Sequence, residues 1–390
     1  MKHLALWLVL PFALLAQPEF FGYFESEADV MQLGSEQYNF GYHKFRLDIE
    51  ARPNENVLIG VNINAQQFWG KTTWNLIDFI PQIYPEGTAY FYTIPDTILL
   101  DNIYTKLSFP YADLTLGKQQ ISPGVGYAWN PTDIFNSKSL MDPSYEQTGV
   151  KALRLDIPLG DRASAIAIIQ PEPDLDYSTQ QYILKTGFRS FDFSATGSYQ
   201  GKPDWTSTIL GRNDIMERSM LGGSVIGEFL GWGIWGEYSN NTLKTELPPY
   251  SSFAPPNSEE TFTEYLVGVD HTFDNSVYVL IEHLHNGLGA KAKEDLWLSD
   301  YLLALGGETH SLNQDYGFFY IMHPTFDYVS LSALIIANFN DKSGTYAPQL
   351  DWNVFEDTNI SLQGNFSWGA EDTEFGLQEW GLRLRLRSDF

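Results

Sequence analysis

The chain alternates. In stretch after stretch, apolar and polar side chains take turns, the period of a β-strand whose two faces meet different surroundings. In 360–368, Ile360, Leu362, Phe366 and Trp368 fall on one face and Ser361, Gln363, Asn365 and Ser367 on the other. In 191–199, Phe191, Phe193, Ala195 and Tyr199 oppose Asp192, Ser194, Thr196 and Ser198, and Tyr265, Val267, Val269 and Phe273 oppose Glu264, Gly268, Asp270 and Thr272. The chain ends in the same way. Trp380, Leu382, Leu384, Leu386 and Phe390 share one face, with Gly381, Arg383, Arg385, Arg387 and Asp389 on the other.

Two classes of connection separate these strands, and they alternate. Short turn-forming clusters stand at 53–56, 110–113, 160–161, 189–190, 231–232, 274–276, 324–327 and 357–359. Longer segments lie between them, at 31–38, 70–96, 129–147, 171–180, 201–217, 242–260, 288–312, 341–346 and 370–374. Eight turns and nine loops join eighteen strands, with sixteen as the alternative count. Both termini then emerge on the short-turn side. This is the layout of an all-β, transmembrane, antiparallel up-and-down β-barrel of the bacterial outer membrane. In hydrocarbon every backbone N–H and C=O must be paired, and a closed sheet achieves this with no free edge. About ten residues of a tilted strand cross the apolar band, which sets Trp380 and Phe390 at its two interfaces. An arginine facing lipid at mid-depth costs roughly 2–4 kcal/mol, so the arginines of the last strand must face inward.

The N-terminus fits export. Lys2 and His3 precede an apolar run from Leu4 to Leu15, with Ala13 and Ala16 near its end. Residues 1–16 read as a signal peptide and 17–390 as a single barrel domain. The run is too short to span a bilayer as a helix, and no later apolar stretch approaches that length. There are no cysteines, so an exported chain holds together without disulfides. The net charge of −26 argues against a nucleic-acid partner, which requires a basic footprint.

The ending resembles that of outer-membrane barrel proteins generally, whose last strand closes on an aromatic residue after alternating apolar positions. Phe390, Leu386, Leu384 and Leu382 match; Ser388 departs from the pattern. The resemblance implies recognition by the outer-membrane assembly machinery and residence among lipid and lipopolysaccharide. A second resemblance covers 114–160. Gly117, Lys118, Gln119, Trp129, Asn130, Pro131, Gly149, Val150, Ala152, Leu153 and Arg154 are similar to a segment of porin-type barrels related to the alginate-export and phosphate-selective porins. It implies a channel, not a particular solute.

The inward charges are the candidate pore lining: Glu25, Glu27, Lys44, Arg46, Lys106, Arg154, Asp156, Arg383, Arg385 and Arg387. Placing Phe20 and Phe390 at the same rim sets Glu25 opposite Arg385 and Glu27 opposite Arg383. Such a ladder either specifies closure, through cross-strand pairs of roughly 0.2–1 kcal/mol each, or guides anions. Both signs occur along the lumen, which predicts a polar, water-filled interior of weak or position-dependent selectivity. Trp129, Asn130 and Asp133 belong to the third long loop, a candidate constriction folded into the barrel. Loop 70–96 is rich in aromatic and apolar residues and is expected to pack into the mouth or bind something there. Segment 291–307 is helix-prone, with Gly306 and Gly307 as a stop. His283 and His285 share a strand face without an evident third ligand, so no metal is expected. No catalytic constellation, nucleotide loop or cofactor site stands out. The expectation is a passive pore for small hydrophilic solutes, not an enzyme, and a monomer, as eighteen-stranded porins often are. The alternative is a barrel occluded by its own loops that binds a polysaccharide or a partner protein at the cell surface.

Overall fold

In a computed structural model the described residues are 18–75, 91–136, 138–143, 145–171, 178–203, 215–244, 259–296, 300–301, 304 and 309–390. The strands run in order as β1 (Glu19–Leu33), β2 (Glu36–Asn54), β3 (Val57–Gly70), β4 (Thr73–Asn75), β5 (Phe91–Thr93), β6 (Thr97–Phe109), β7 (Ala112–Gln119), β8 (Val150–Pro158), β9 (Ala163–Pro171) and β10 (Ser178–Phe188). They continue as β11 (Phe191–Pro203), β12 (Ile215–Phe229), β13 (Trp232–Lys244), β14 (Glu259–Thr272), β15 (Tyr278–Asn286), β16 (Asp315–Phe326), β17 (Val329–Asn338), β18 (Ser343–Phe355), β19 (Thr358–Trp368) and β20 (Gln378–Asp389). All but β4 and β5 form one 18-stranded sheet of sequential antiparallel neighbours, and β20 returns to pair with β1. The sheet is a closed barrel, as the alternation requires.

All eight short turns join barrel strands at the expected places. Several of the long connections differ. The one expected at 341–346 is a four-residue link, 339–342, because β17 and β18 pair as far as Asn338 and Ser343. The expected loop 31–38 is a tight turn at Gly34–Ser35, with Gly34 at φ 55°, because β1 and β2 pair as far as Leu33 and Glu36. The third loop begins earlier than 129 and runs from 120 to 149, between β7 and β8. β4 and β5 make a small hairpin within 70–96. Trp74 on it packs edge-on against Tyr38 and Phe40 of β2, which ties this end of the loop to the barrel mouth. Residues 76–90 of that loop lie outside the described residues. Of the helix expected over 291–307, Asp300, Tyr301 and Ala304 are helical, Lys293–Asp295 form a 3-10 turn, and part of the remainder lies outside the described residues.

The closure register corrects an expectation. Glu25 lies opposite Arg387, Glu27 opposite Arg385 and Asp29 opposite Arg383, two residues from the pairing inferred by levelling Phe20 with Phe390. The partner of Phe390 is Gly22, each donating its N–H to the other's carbonyl at 3.1 and 3.0 Å. A Cβ at residue 22 would press on the Arg46 carbonyl and on the Phe390 ring, which stacks on Phe45. Glycine there lets the terminal ring lie against the barrel wall. Because the shift is even, it leaves every side chain on its expected face.

Outward positions carry an apolar surface: Phe24, Phe45, Leu184, Val267, Leu362 and Leu384 are exposed. The inward face is not uniformly polar, contrary to expectation. On β13–β18, Trp235, Leu266, Leu280, Leu284, Phe318 and Ile336 point inward and pack into a core with Ala128 and Trp129 of loop 120–149. These strands read apolar on both faces, as in Val279–Leu284 and Leu331–Ala337. The loop covers their inner faces as it crosses the lumen.

Candidate functional site

The site is the lumen and the loop that crosses it. Loop 120–149 is held by two inward carboxylates on the β13–β15 wall. Glu237 accepts hydrogen bonds from Val125 N, from Gly126 N at 2.9 Å, and from Thr132 N and Oγ1 at 3.1 and 2.8 Å. Glu282 accepts from Tyr127 N, from Ala128 N at 2.7 Å and from the Trp235 indole at 2.6 Å. Backbone N–H groups buried inside a barrel have no strand to pair with, and these carboxylates serve instead. Gln181 of β10 donates to the Thr132 carbonyl at 2.8 Å. Lys138, itself on the loop, closes the turn by donating to the Gly126 and Tyr127 carbonyls at 2.5 and 3.0 Å. Burial holds its ammonium below the usual lysine range.

The far end of the loop meets the β20–β1–β2 wall. Glu146 accepts from Tyr23 Oη at 2.8 Å and Lys44 Nζ at 3.2 Å and pairs with Arg46. Burial alone would raise its pKa, but Lys44, the Tyr23 hydroxyl and Arg46 hold it below the ordinary glutamate value. Tyr145 donates to Glu25 at 2.8 Å, and Asp142 receives Arg385 at 2.9 Å. The loop therefore bridges two separate arcs of the barrel.

Trp129, Asn130 and Asp133, expected at a constriction, are all buried inside the barrel. Trp129 packs on Tyr316 and Phe318. Asp133 caps the turn by accepting from the N–H groups of Phe135 and Asn136 at 2.8 and 3.1 Å, and burial pushes its carboxyl up to about 7. The inward charges are also where the alternation puts them, but they act as ion pairs. Arg385 meets Glu27 at 2.7 Å, and Arg383 meets Asp29 at 3.1 Å and Glu27 at 3.5 Å. Arg387 lies over the Tyr23 ring at 3.7 Å and pairs with Asp389. Glu25, expected in a pair with arginine, instead accepts from the hydroxyls of Tyr42 and Tyr145.

Two other long connections also enter the interior. In 369–377, Glu374 accepts from Tyr316 Oη at 2.6 Å and Asn338 Nδ2 at 2.9 Å, and burial raises it to about 7. In 287–314, His310 sits against Glu264 at 3.0 Å. Burial opposes its charge, but Glu264 raises its pKa above the ordinary value. Sequence reasoning missed the anchoring residues Glu237, Glu282, Asp142 and Glu146. The signal was a lone carboxylate at an inward position among apolar or glycine neighbours, as in Gly233–Tyr238 and Val279–Leu284.

With these loops against β13–β18, open space remains on the opposite side. A cavity of about 530 Å³ lies toward the short-turn end, against β2, β3, β6, β7 and β8, and contains Arg46, Lys106, Arg154 and Asp156. A second, of about 490 Å³, lies between loop 120–149 and the long-loop ends of β9, β11 and β12. No cluster of three or more metal-ligating side chains occurs among the described residues. His283 and His285 face outward and share Asp315, at 3.6 and 2.8 Å.

No family model matches the chain, and no curated protein matches it in sequence. Solved structures do match. Acinetobacter baumannii OccAB1 is similar with a TM-score of 0.57 at 10% identity, covering 96% of each chain. The outer membrane protein OprD of Pseudomonas aeruginosa is similar at 0.53 and 9%, over 96% of this chain and 94% of that one. Pseudomonas aeruginosa OccK2 (OpdF), solved in complex with glucuronate, is similar at 0.53 and 7%, over 96% and 98%. The shared feature is the fold, an eighteen-stranded barrel of the outer-membrane type.

Proposed function

We propose that this protein is a porin-like channel of a bacterial outer membrane, passing small hydrophilic solutes by passive diffusion. The observation that carries the reading is the asymmetry of the lumen. Inward loops fill the apolar side, and the polar side keeps cavities both toward the short turns and at the long-loop end. A channel needs a polar path and a constriction, not reactive groups, and selectivity then comes from diameter and wall charge. The fold shared with outer-membrane porins and the resemblance of 114–160 to alginate-export and phosphate-selective porins both support a channel. On this reading residues 1–16 are removed on export, Phe390 and the leucines before it are read by the assembly machinery, and the protein acts as a monomer among lipid and lipopolysaccharide. It carries out no chemistry and needs no cofactor.

A second reading, a loop-occluded barrel that binds a polysaccharide or partner, is favoured by the anchoring of loop 120–149 on both walls. Current through the purified protein in a planar bilayer separates the two. Steady conductance in KCl is the expected result; a silent membrane holding protein shown to be folded by its heat-modifiable gel mobility would replace the channel with the occluded barrel.

A further inference from the structure

The cavity against β2, β3, β6, β7 and β8 is charged but internally neutralised. Its three cations each have a carboxylate of the same wall at hydrogen-bond distance. Arg46 forks onto Asp48 at 2.7 and 3.0 Å, and Arg154 onto Asp156 at 2.9 and 2.8 Å. Lys106 meets Asp113 at 2.8 Å. The first two pairs are two residues apart on one strand, so both members point the same way. A fourth carboxylate, Glu50, also lines the space. The wall therefore holds no surplus positive charge, and its guanidinium forks are already occupied by carboxylates in the geometry an anionic solute would need.

What the wall does offer is neutral. The amides of Asn62, Asn102, Gln119 and Gln120 and the Thr115 hydroxyl line it. Asn62 is only 2% exposed, and its amide is committed to Asp48. Tyr104 spreads its ring over Gly60, where a Cβ would collide with it, so an aromatic face lies along the wall. The carboxylate edges left free by the ion pairs accept from donors, and the lining amides both donate and accept. A hydroxyl both donates and accepts, whereas a carboxylate only accepts. The ring C–H face of a pyranose would suit the Tyr104 face.

We infer that this cavity is a transit site for an uncharged polyhydroxylated solute of monosaccharide size, not for a carboxylate. The inference rests on the channel reading above and specifies its substrate class. A cavity of about 530 Å³ is within the range of small-ligand sites.

The test uses the full-length protein in liposomes and two sugars that differ in one substituent, glucose and glucuronate. Swelling is expected to be faster in glucose than in glucuronate by about threefold or more, as the carboxylate meets a wall with excess like charge. The variant carrying Asp113→Asn and Asp156→Asn frees Lys106 and Arg154, so its glucuronate-to-glucose ratio should rise by about threefold or more. Asp113→Asn alone, beside the turn at 110–111, gives the same direction if the double variant folds poorly. Glucuronate entering faster than glucose, or an unchanged ratio in the variants, would overturn the assignment while leaving the channel intact. Absence of KCl conductance from folded protein would instead remove the channel reading, and this one with it.

Discussion

Replacing Glu237 with alanine should loosen loop 120–149 without opening the barrel wall. The strand ladders on either side of β13 are made by backbone groups and do not use this side chain. The loop depends on it: Val125 N, Gly126 N, Thr132 N and Thr132 Oγ1 all donate to its two oxygens. Removing the carboxylate orphans three buried N–H groups, each costing roughly 1–3 kcal/mol if left unpaired. Water can enter the space vacated, so the lower end applies, about 3 kcal/mol in all. That is on the order of a hundredfold in the ratio of detached to docked loop. Two measurements read it. Single-channel current should become larger and noisier, and trypsin should cut after Lys138, whose ammonium in the intact protein is tied to the Gly126 and Tyr127 carbonyls. Glu237→Gln, which keeps one carbonyl oxygen, should fall between. If Glu237→Ala folded, conducted as before and stayed equally resistant to trypsin, the loop would be held by the Trp129 core, and the anchoring argument would be wrong.

The closure seam gives a second prediction. Glu27 is 5% exposed and lies 2.7 Å from Arg385, so Glu27→Gln should lower the temperature at which the folded band is lost on a gel, by an effect of about 1–2 kcal/mol. A double-mutant cycle with Arg385→Gln should show coupling between the two sites, and strictly additive effects would refute the pairing. A third concerns pH. Asp133 and Glu374 have folded pKa values raised to about 7 by burial, so they favour the packed state most when protonated. His310, raised by Glu264, likewise stabilises the folded state below its ordinary pKa and loses that as pH rises through the folded value. All three act in one direction: the inward loops should pack tighter at pH 5 than at pH 8, with lower mean current at pH 5. Glu146, held low, opposes this only below the ordinary glutamate range. A larger current at pH 5 would contradict the assignment. Fourth, four cavity carboxylates against three cations should give weak cation preference, visible as the sign of the reversal potential in a KCl gradient. Finally, deleting Phe390 should sharply reduce the yield of folded barrel in cells while permitting refolding in detergent; normal assembly would exclude it as an insertion signal.

The barrel was readable because its rule is local and repeated. Each strand carries its own instruction in alternation, and eight turns punctuate the chain where glycine, proline, asparagine and aspartate cluster. The faces of Glu25, Glu27, Arg383 and Arg385 followed from parity alone. Their partners did not, because pairing depends on where Phe390 stops, and that is set by the space Gly22 leaves for its ring. The expected polar lumen held for β1–β3, β6, β7 and β20 and failed for β13–β17 and, on a smaller scale, for β8–β10, where Val150, Ala152, Ile166, Ile168 and Ile183 pack with Ile121 of loop 120–149. There, apolar residues on both faces meant lipid on one side and a loop on the other.

By itself the sequence determined the closed barrel and an even strand count of eighteen or sixteen, the side on which each residue lies and the two classes of connection, since these follow from nearest-neighbour periodicity and the need to pair every backbone group in hydrocarbon. The tertiary structure alone decided the register of closure and which loops enter the lumen. Those outcomes join residues more than a hundred positions apart, such as Tyr23 with Glu146 and Val125 with Glu237. No local pattern encodes such a contact, because its free energy exists only once the sheet has curved round and brought its two walls to the same loop.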